Sequence, residues 1–158
     1  MDVFDVSEIL QFAVRIEENG ENFYRRVAES AAEQNVKSLF TYLADAEVVH
    51  SKTFSDMVAG LKTYEPAESY PGEYFTYLRA FVDGVLFNEE EREKHMSDVT
   101  DIVSAVDFGI RKELQSIQYY EEMKKFVPAG QHDVLERVIN EERKHFVELA
   151  ELREELTQ

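Results

Sequence analysis

Two short patterns constrain this chain more than anything else in it. They are Glu47-x-x-His50 and Glu142-x-x-His145, and each interrupts an apolar stripe of helical period. Near the C-terminus, Leu135, Val138, Glu142, His145, Leu149, Leu152 and Leu156 recur at steps of three and four. That spacing marks the inward face of a helix. Leu39, Leu43, Glu47, His50, Phe54, Met57 and Leu61 do the same earlier in the chain. In both stripes a carboxylate and an imidazole stand where Leu is expected. At i and i+3 they project from one face.

Two further stripes supply one inward carboxylate each. Leu10, Ala13, Glu17, Gly20, Tyr24 and Val27 share one face, and Val106, Ile110, Glu113, Ile117 and Tyr120 another. The adjacent Glu18 and Glu141 turn about 100° away on an ideal helix and fall outside this set. Burying one unpaired carboxylate costs several kcal/mol or forces its pKa up. Four in one core require compensation, and two divalent cations match their charge. Neutral histidines complete such a site through one ring nitrogen each. The pattern therefore predicts a two-metal site of Glu17, Glu47, His50, Glu113, Glu142 and His145. A buried ion-pair network is the competing reading.

The periodic segments predict helices over about 7–32, 36–61, 99–127 and 132–156, with a short amphipathic helix over about 73–87. Pro66, Pro71 and Gly72 break the chain after the second helix, an acidic stretch follows at Glu89–Glu93, and Pro128, Ala129 and Gly130 form the last turn. No sustained period-two pattern supports a strand. The expected fold is all-α: two antiparallel helical hairpins joined by a long crossover, one domain over 1–158. A four-helix bundle with one long connection is the ferritin-like arrangement.

Register supports it. The midpoint of Glu17 and Glu47 is position 32, at the first expected turn, and that of Glu113 and Glu142 is 127.5, at the second. Each Glu thus lies level with its partner across its own hairpin. The halves also repeat: Glu17 and Glu113 are offset by 96 positions, Glu47 and Glu142 by 95. A repeated hairpin implies a pseudo-twofold site to which each half gives one Glu and one Glu-x-x-His.

Composition narrows the function classes. With no Cys, disulfides, zinc ribbons and iron–sulfur clusters are excluded. A net charge of -16 repels nucleic acid and anionic membrane surfaces and attracts cations. No run approaches the roughly 20 apolar residues of a membrane span, and no basic-then-apolar leader opens the chain. A cytoplasmic protein is expected.

These residues resemble the rubrerythrin family of the ferritin-like superfamily. The first half reads Ala13-Val-Arg-Ile-Glu17-Glu-Asn-Gly20-Glu-Asn-Phe23-Tyr24, then Glu47-Val-Val-His50. The second reads Glu113-Leu-Gln-Ser116-Ile-Gln-Tyr119-Tyr120, then Glu142-Arg-Lys-His145, and the connecting Glu73-Tyr-Phe-Thr-Tyr-Leu-Arg-Ala is also similar. The likeness covers nearly the whole chain. It implies a non-haem di-iron centre, with iron–zinc or manganese as alternatives, that reduces hydrogen peroxide or dioxygen in oxidative-stress defence. It also implies a homodimer. The Cys module usual in full-length members is missing, so electrons would come from a separate carrier such as a rubredoxin-like protein. Ser116 stands where typical members carry a further Glu. The alternative is a ferroxidase-like or iron-handling protein with little turnover.

Four neighbours of the ligand set have two readings each. Gly20, matched by Ser116 in the other half, leaves room beside the metals for a small oxidant, or else lets helices pack closely. Tyr24 and Tyr120, seven residues past Glu17 and Glu113, donate hydrogen bonds to ligand carboxylates or give radical protection, or simply fill the core. His95 and His132 are expected to be solvated or capping residues.

Overall fold

The computed structural model describes residues 6–60, 76–77, 80, 101–127 and 129–158. Four long helices dominate: α1 (Val6–Ser30), α2 (Gln34–Gly60), α3 (Ile102–Met123) and α4 (His132–Thr157), with a short 3₁₀ turn, Ala129–Gln131, before α4. There is no strand among the described residues. Of the expected crossover helix, Thr76, Tyr77 and Ala80 are helical, and the remainder lies outside the described residues, as do Pro66, Pro71, Gly72, Glu89–Glu93 and His95.

The helix ends follow local chemistry. α3 starts later than the apolar pattern suggests because Asp101 and Ser104 form a reciprocal capping box. The Ser104 N–H donates to Asp101 Oδ1 at 2.8 Å, and the Asp101 N–H donates to Ser104 Oγ at 3.1 Å. Two orphan donors of the first turn are thereby satisfied. At the other end, the Lys124 and Val127 N–H groups donate back to the carbonyls of Tyr120 and Met123 before the chain turns. His132 Nε2 lies 3.2 Å from the Val127 carbonyl, so this histidine closes the turn.

α1 packs against α2 and α3 against α4, and α1 also touches α3. The apolar residues fall into two blocks. One gathers Leu10, Ala13 and Ile16 of α1, Phe54 and Met57 of α2, Tyr119, Tyr120 and Met123 of α3, and Leu135, Val138 and Ile139 of α4. The other gathers Phe23, Tyr24 and Val27, Phe40 and Leu43, Ala105 and Val106, and Leu149 and Leu152. The residues that each helix gives to each block fix its direction. α1 and α4 run from the first block to the second, while α2 and α3 run the opposite way. α2 therefore ends at one end of the bundle and α3 begins at the other, and residues 61–100 connect the two. That is the up-down pair of hairpins with a long crossover expected of a ferritin-like bundle.

Each fully buried Leu, Ile, Val or Phe contributes about 1.5–3 kcal/mol on leaving water. The two blocks supply that driving force above and below a middle layer that is polar. Interhelix ion pairs fasten the hairpins outside: Arg25 to Asp45 at 3.0 Å, Arg143 to Glu121 at 2.8 Å, and Arg153 to Asp107. Exposed pairs of this kind are worth roughly 0–1 kcal/mol each.

Candidate metal centre

Between the two apolar blocks the side chains that meet are charged. Glu17, Glu47, Glu113, Glu142 and His145 are fully buried, and His50 is 3% exposed. One ligand atom from each of Glu17, Glu47, His50 and Glu142 lies within 4.8 Å of the others, and Glu47, Glu113, Glu142 and His145 satisfy the same condition. Glu47 and Glu142 belong to both groups. All six residues singled out by the stripes are thus brought together, two groups sharing two carboxylates.

The convergence follows from level registration of the hairpins. Glu47 and His50 project from one face of α2, Glu142 and His145 from one face of α4, and α1 and α3 each present one Glu opposite. His50 Nδ1 is 3.2 Å from Glu17 Oε2 and 2.7 Å from Glu142 Oε1. His145 Nδ1 is 3.8 Å from Glu113 Oε2. The two imidazoles stack with centroids 5.7 Å apart and planes 25° from parallel. Behind them, Tyr42 meets His145 edge-on at 5.8 Å, and Glu141, half-exposed, places Oε2 3.8 Å from His50 Nε2. Glu141 thus stands outside the cluster, behind a histidine, and Glu18 is exposed.

Much of this layer lacks hydrogen-bond partners. Glu17 Oε1, Glu47 Oε2, Glu113 Oε2, both Glu142 oxygens and both His145 ring nitrogens are buried without one. Buried polar atoms are nearly always paired. So many orphans aimed at a common volume, all of them hard oxygen or imidazole donors, fit a pair of divalent cations. An ion-pair network is a poorer account, because it would have satisfied them.

Protonation reflects the crowding. Burial, then the charge of Glu47, raises the Glu17 pKa well above its usual range. Burial, then Glu113 and Glu17, does the same to Glu142. Burial also opposes ionisation of Glu113, but the close approach of Glu142 and His145 and the Lys112 charge outweigh it and hold Glu113 low. Burial lowers the His50 pKa despite Glu47 nearby, which keeps the ring neutral and able to bind metal.

Lys112 is the functional residue that the stripe pattern misses. Its Nζ donates to Glu47 Oε1 at 3.1 Å, its side chain is only 12% exposed, and its ammonium lies 5.5 Å from the Tyr24 ring centroid. Burial alone would lower its pKa, but Glu47, Glu113, Glu17 and Glu142 raise it, so it stays charged. The charge balance expected from four carboxylates changes accordingly. With two divalent cations bound, the layer carries one net positive charge rather than none.

Lys112 also accounts for Gly20. A Cβ there would overlap the end of Lys112 and approach Glu47 Cδ at 2.9 Å. The room beside Gly20 is occupied by the end of the Lys112 side chain. The paired Ser116 is fully buried with its hydroxyl unpartnered. The tyrosines part company. The Tyr24 hydroxyl donates to Glu113 Oε1, whereas the Tyr120 hydroxyl is buried with no partner and its ring packs on Phe54.

The Rubrerythrin family model matches residues 8–153. A crystal structure from Thermotoga maritima, described as that of a ferritin-like diiron-carboxylate protein, aligns with a TM-score of 0.69 at 27% identity and covers 98% of each chain. No curated protein matches.

Proposed function

The chain belongs to the rubrerythrin family, and from that premise we propose that it is a non-haem di-iron oxidoreductase that reduces hydrogen peroxide or dioxygen with electrons from a separate donor. The observation that carries the reading is the set of unpartnered carboxylate and imidazole atoms converging in two overlapping groups. When bound, two ferrous ions supply one electron each, which with two protons is the balance that turns hydrogen peroxide into two waters.

The chain's own residues set the conditions. Glu17 and His50 would hold one metal, Glu113 and His145 the other, and Glu47 and Glu142 would serve both. The apolar blocks on either side keep bulk water from the layer, which strengthens every charge interaction inside it. Tyr24 donates to Glu113 and fixes one of its oxygens, leaving Oε2 for metal. Burial and the nearby carboxylates push the Tyr24 pKa up, so the proton stays on the phenol oxygen.

A rubredoxin-like electron carrier, a homodimer, a cytoplasmic location and a role in oxidative-stress defence complete the proposal. Among the described residues no helix is long and apolar enough to cross a membrane. A second reading, a ferroxidase-like or iron-handling protein with little turnover, is favoured by Ser116, which offers a hydroxyl where typical family members offer another carboxylate.

Metal analysis of the purified protein, then anaerobic addition of oxidant to the ferrous form, separates the two. Two irons per chain, with oxidation faster by peroxide than by dioxygen, support the peroxidase. Preference for dioxygen with slow re-reduction supports the ferroxidase. Stoichiometric zinc or manganese, with no oxidation, removes the peroxidase and favours a metal-binding protein with little turnover.

A further inference from the structure

The repeat that builds the site is chemically unequal in one respect. At the offset that places Glu17 on Glu113, Lys112 takes the position of Ile16, a core residue. Lys112 reaches across Gly20 and donates to Glu47 Oε1 at 3.1 Å, leaving Glu47 Oε2 buried and unpartnered. Glu142, the counterpart of Glu47, has no hydrogen-bond partner at either oxygen. Its near neighbour is His50 Nδ1 at 2.7 Å, a ligand atom aimed at the same metal position. The two shared carboxylates are therefore prepared differently before any cation arrives.

We propose that Lys112 is a positioning residue that restricts Glu47 to metal coordination through Oε2 alone, while Glu142 coordinates through both oxygens. The proposal rests on the two-metal reading and deepens it. Three features carry it: an ammonium donor within hydrogen-bond distance of one Glu47 oxygen, an orphaned second oxygen, and a glycine whose missing Cβ makes the approach possible. A lysine serving only to offset charge in the empty core would not have to remain on Oε1 once metals are bound. The positioning role requires that it does.

Cobalt(II) reports the difference, because its visible d–d absorption weakens as coordination number rises. Wild type, Lys112→Met, Lys112→Arg and Gly20→Ala are titrated with cobalt(II), and each is followed by d–d absorption and by competition with a chelator. Lys112→Met should take up two ions with a weaker band, as Glu47 adds its second oxygen. Its affinity should also be higher, because a positive charge beside the ligand carboxylates is lost and an oxygen is freed for the metal. Gly20→Ala, whose new methyl displaces the end of Lys112, should shift in the same direction from a different helix. Lys112→Arg, which still donates, should keep the wild-type spectrum.

Uptake of two ions by wild type, with an unchanged Lys112→Met spectrum, overturns the role of Lys112 alone. So does a Lys112→Arg spectrum matching that of Lys112→Met. Uptake of fewer than two ions by wild type overturns the two-metal reading and this inference with it.

Discussion

Tyr24 and Tyr120 occupy equivalent places in the repeated hairpin, yet only Tyr24 donates to a carboxylate. Tyr24→Phe should lose about 1.5–3 kcal/mol, the worth of a hydrogen bond to a charged group, whereas Tyr120→Phe should be neutral or stabilising by about 1 kcal/mol. Urea unfolding of the two metal-free variants measures both, and equal losses would contradict the assignment. The carboxylates make a prediction about pH. Glu17 and Glu142 have folded pKa values raised above 4.5. Their contribution to stability is fully present below the unfolded value and is lost as pH rises through the folded one. Through these two groups the metal-free chain should therefore lose stability as pH rises above the ordinary carboxylate range, and a Glu17→Gln, Glu142→Gln double variant should show a flatter profile. Loading with zinc should reverse the slope, since ligand carboxylates must ionise and uptake releases protons. At this scale the sequence was partly legible. Glu47, His50, Glu142 and His145 stood out because Leu was due at those positions. Lys112 did not, because it lies one position off the stripe and reaches the site only through its long, flexible stem. A lysine aligned with Ile16 in the repeat was the available signal.

The helices themselves were legible wherever an apolar stripe ran uninterrupted, and less so at their ends, which are decided by caps. Asp101 is the clearest case. Its box with Ser104 sets the start of α3, and periodicity does not register such a bond. Asp101→Ala should cost about 1 kcal/mol and fray the first turn of α3, seen as faster amide exchange there. Close helix approach is a second feature that pattern alone leaves open. A Cβ on Gly109 would sit 3.1 Å from Leu149 Cδ1 and 3.4 Å from Tyr24 Cε1. Gly109→Ala gains helix propensity of about 0.5–1 kcal/mol but presses α3 against α4 and against the ring that holds Glu113. Net destabilisation of about 1 kcal/mol in urea unfolding is expected, with Gly60→Ala, which meets nothing within 4 Å, as the control.

Across the whole molecule, chain direction was readable from the sequence because two hairpins with level carboxylates permit few arrangements. How the core divides was readable in part, because Glu47 with His50 and Glu142 with His145 interrupt the middle of their apolar stripes. Which residues of different helices share a block, Leu10 with Ile139 and Leu43 with Leu149, is shown only by three-dimensional packing. Saturating that layer with a divalent ion at about 100 times its Kd should add about 2.7 kcal/mol per site, measured as a rise in the unfolding midpoint that a chelator reverses. Among the described residues, no apolar cluster runs unbroken from one end of the bundle to the other. Emptied of ions, the protein resembles two droplets strung on shared struts, and breathing at one tip need not be felt at the other. Amide exchange should then report two rates, one around Phe54 and Val138 and one around Phe40 and Leu149, that merge into a single slow one when zinc rivets the middle shut.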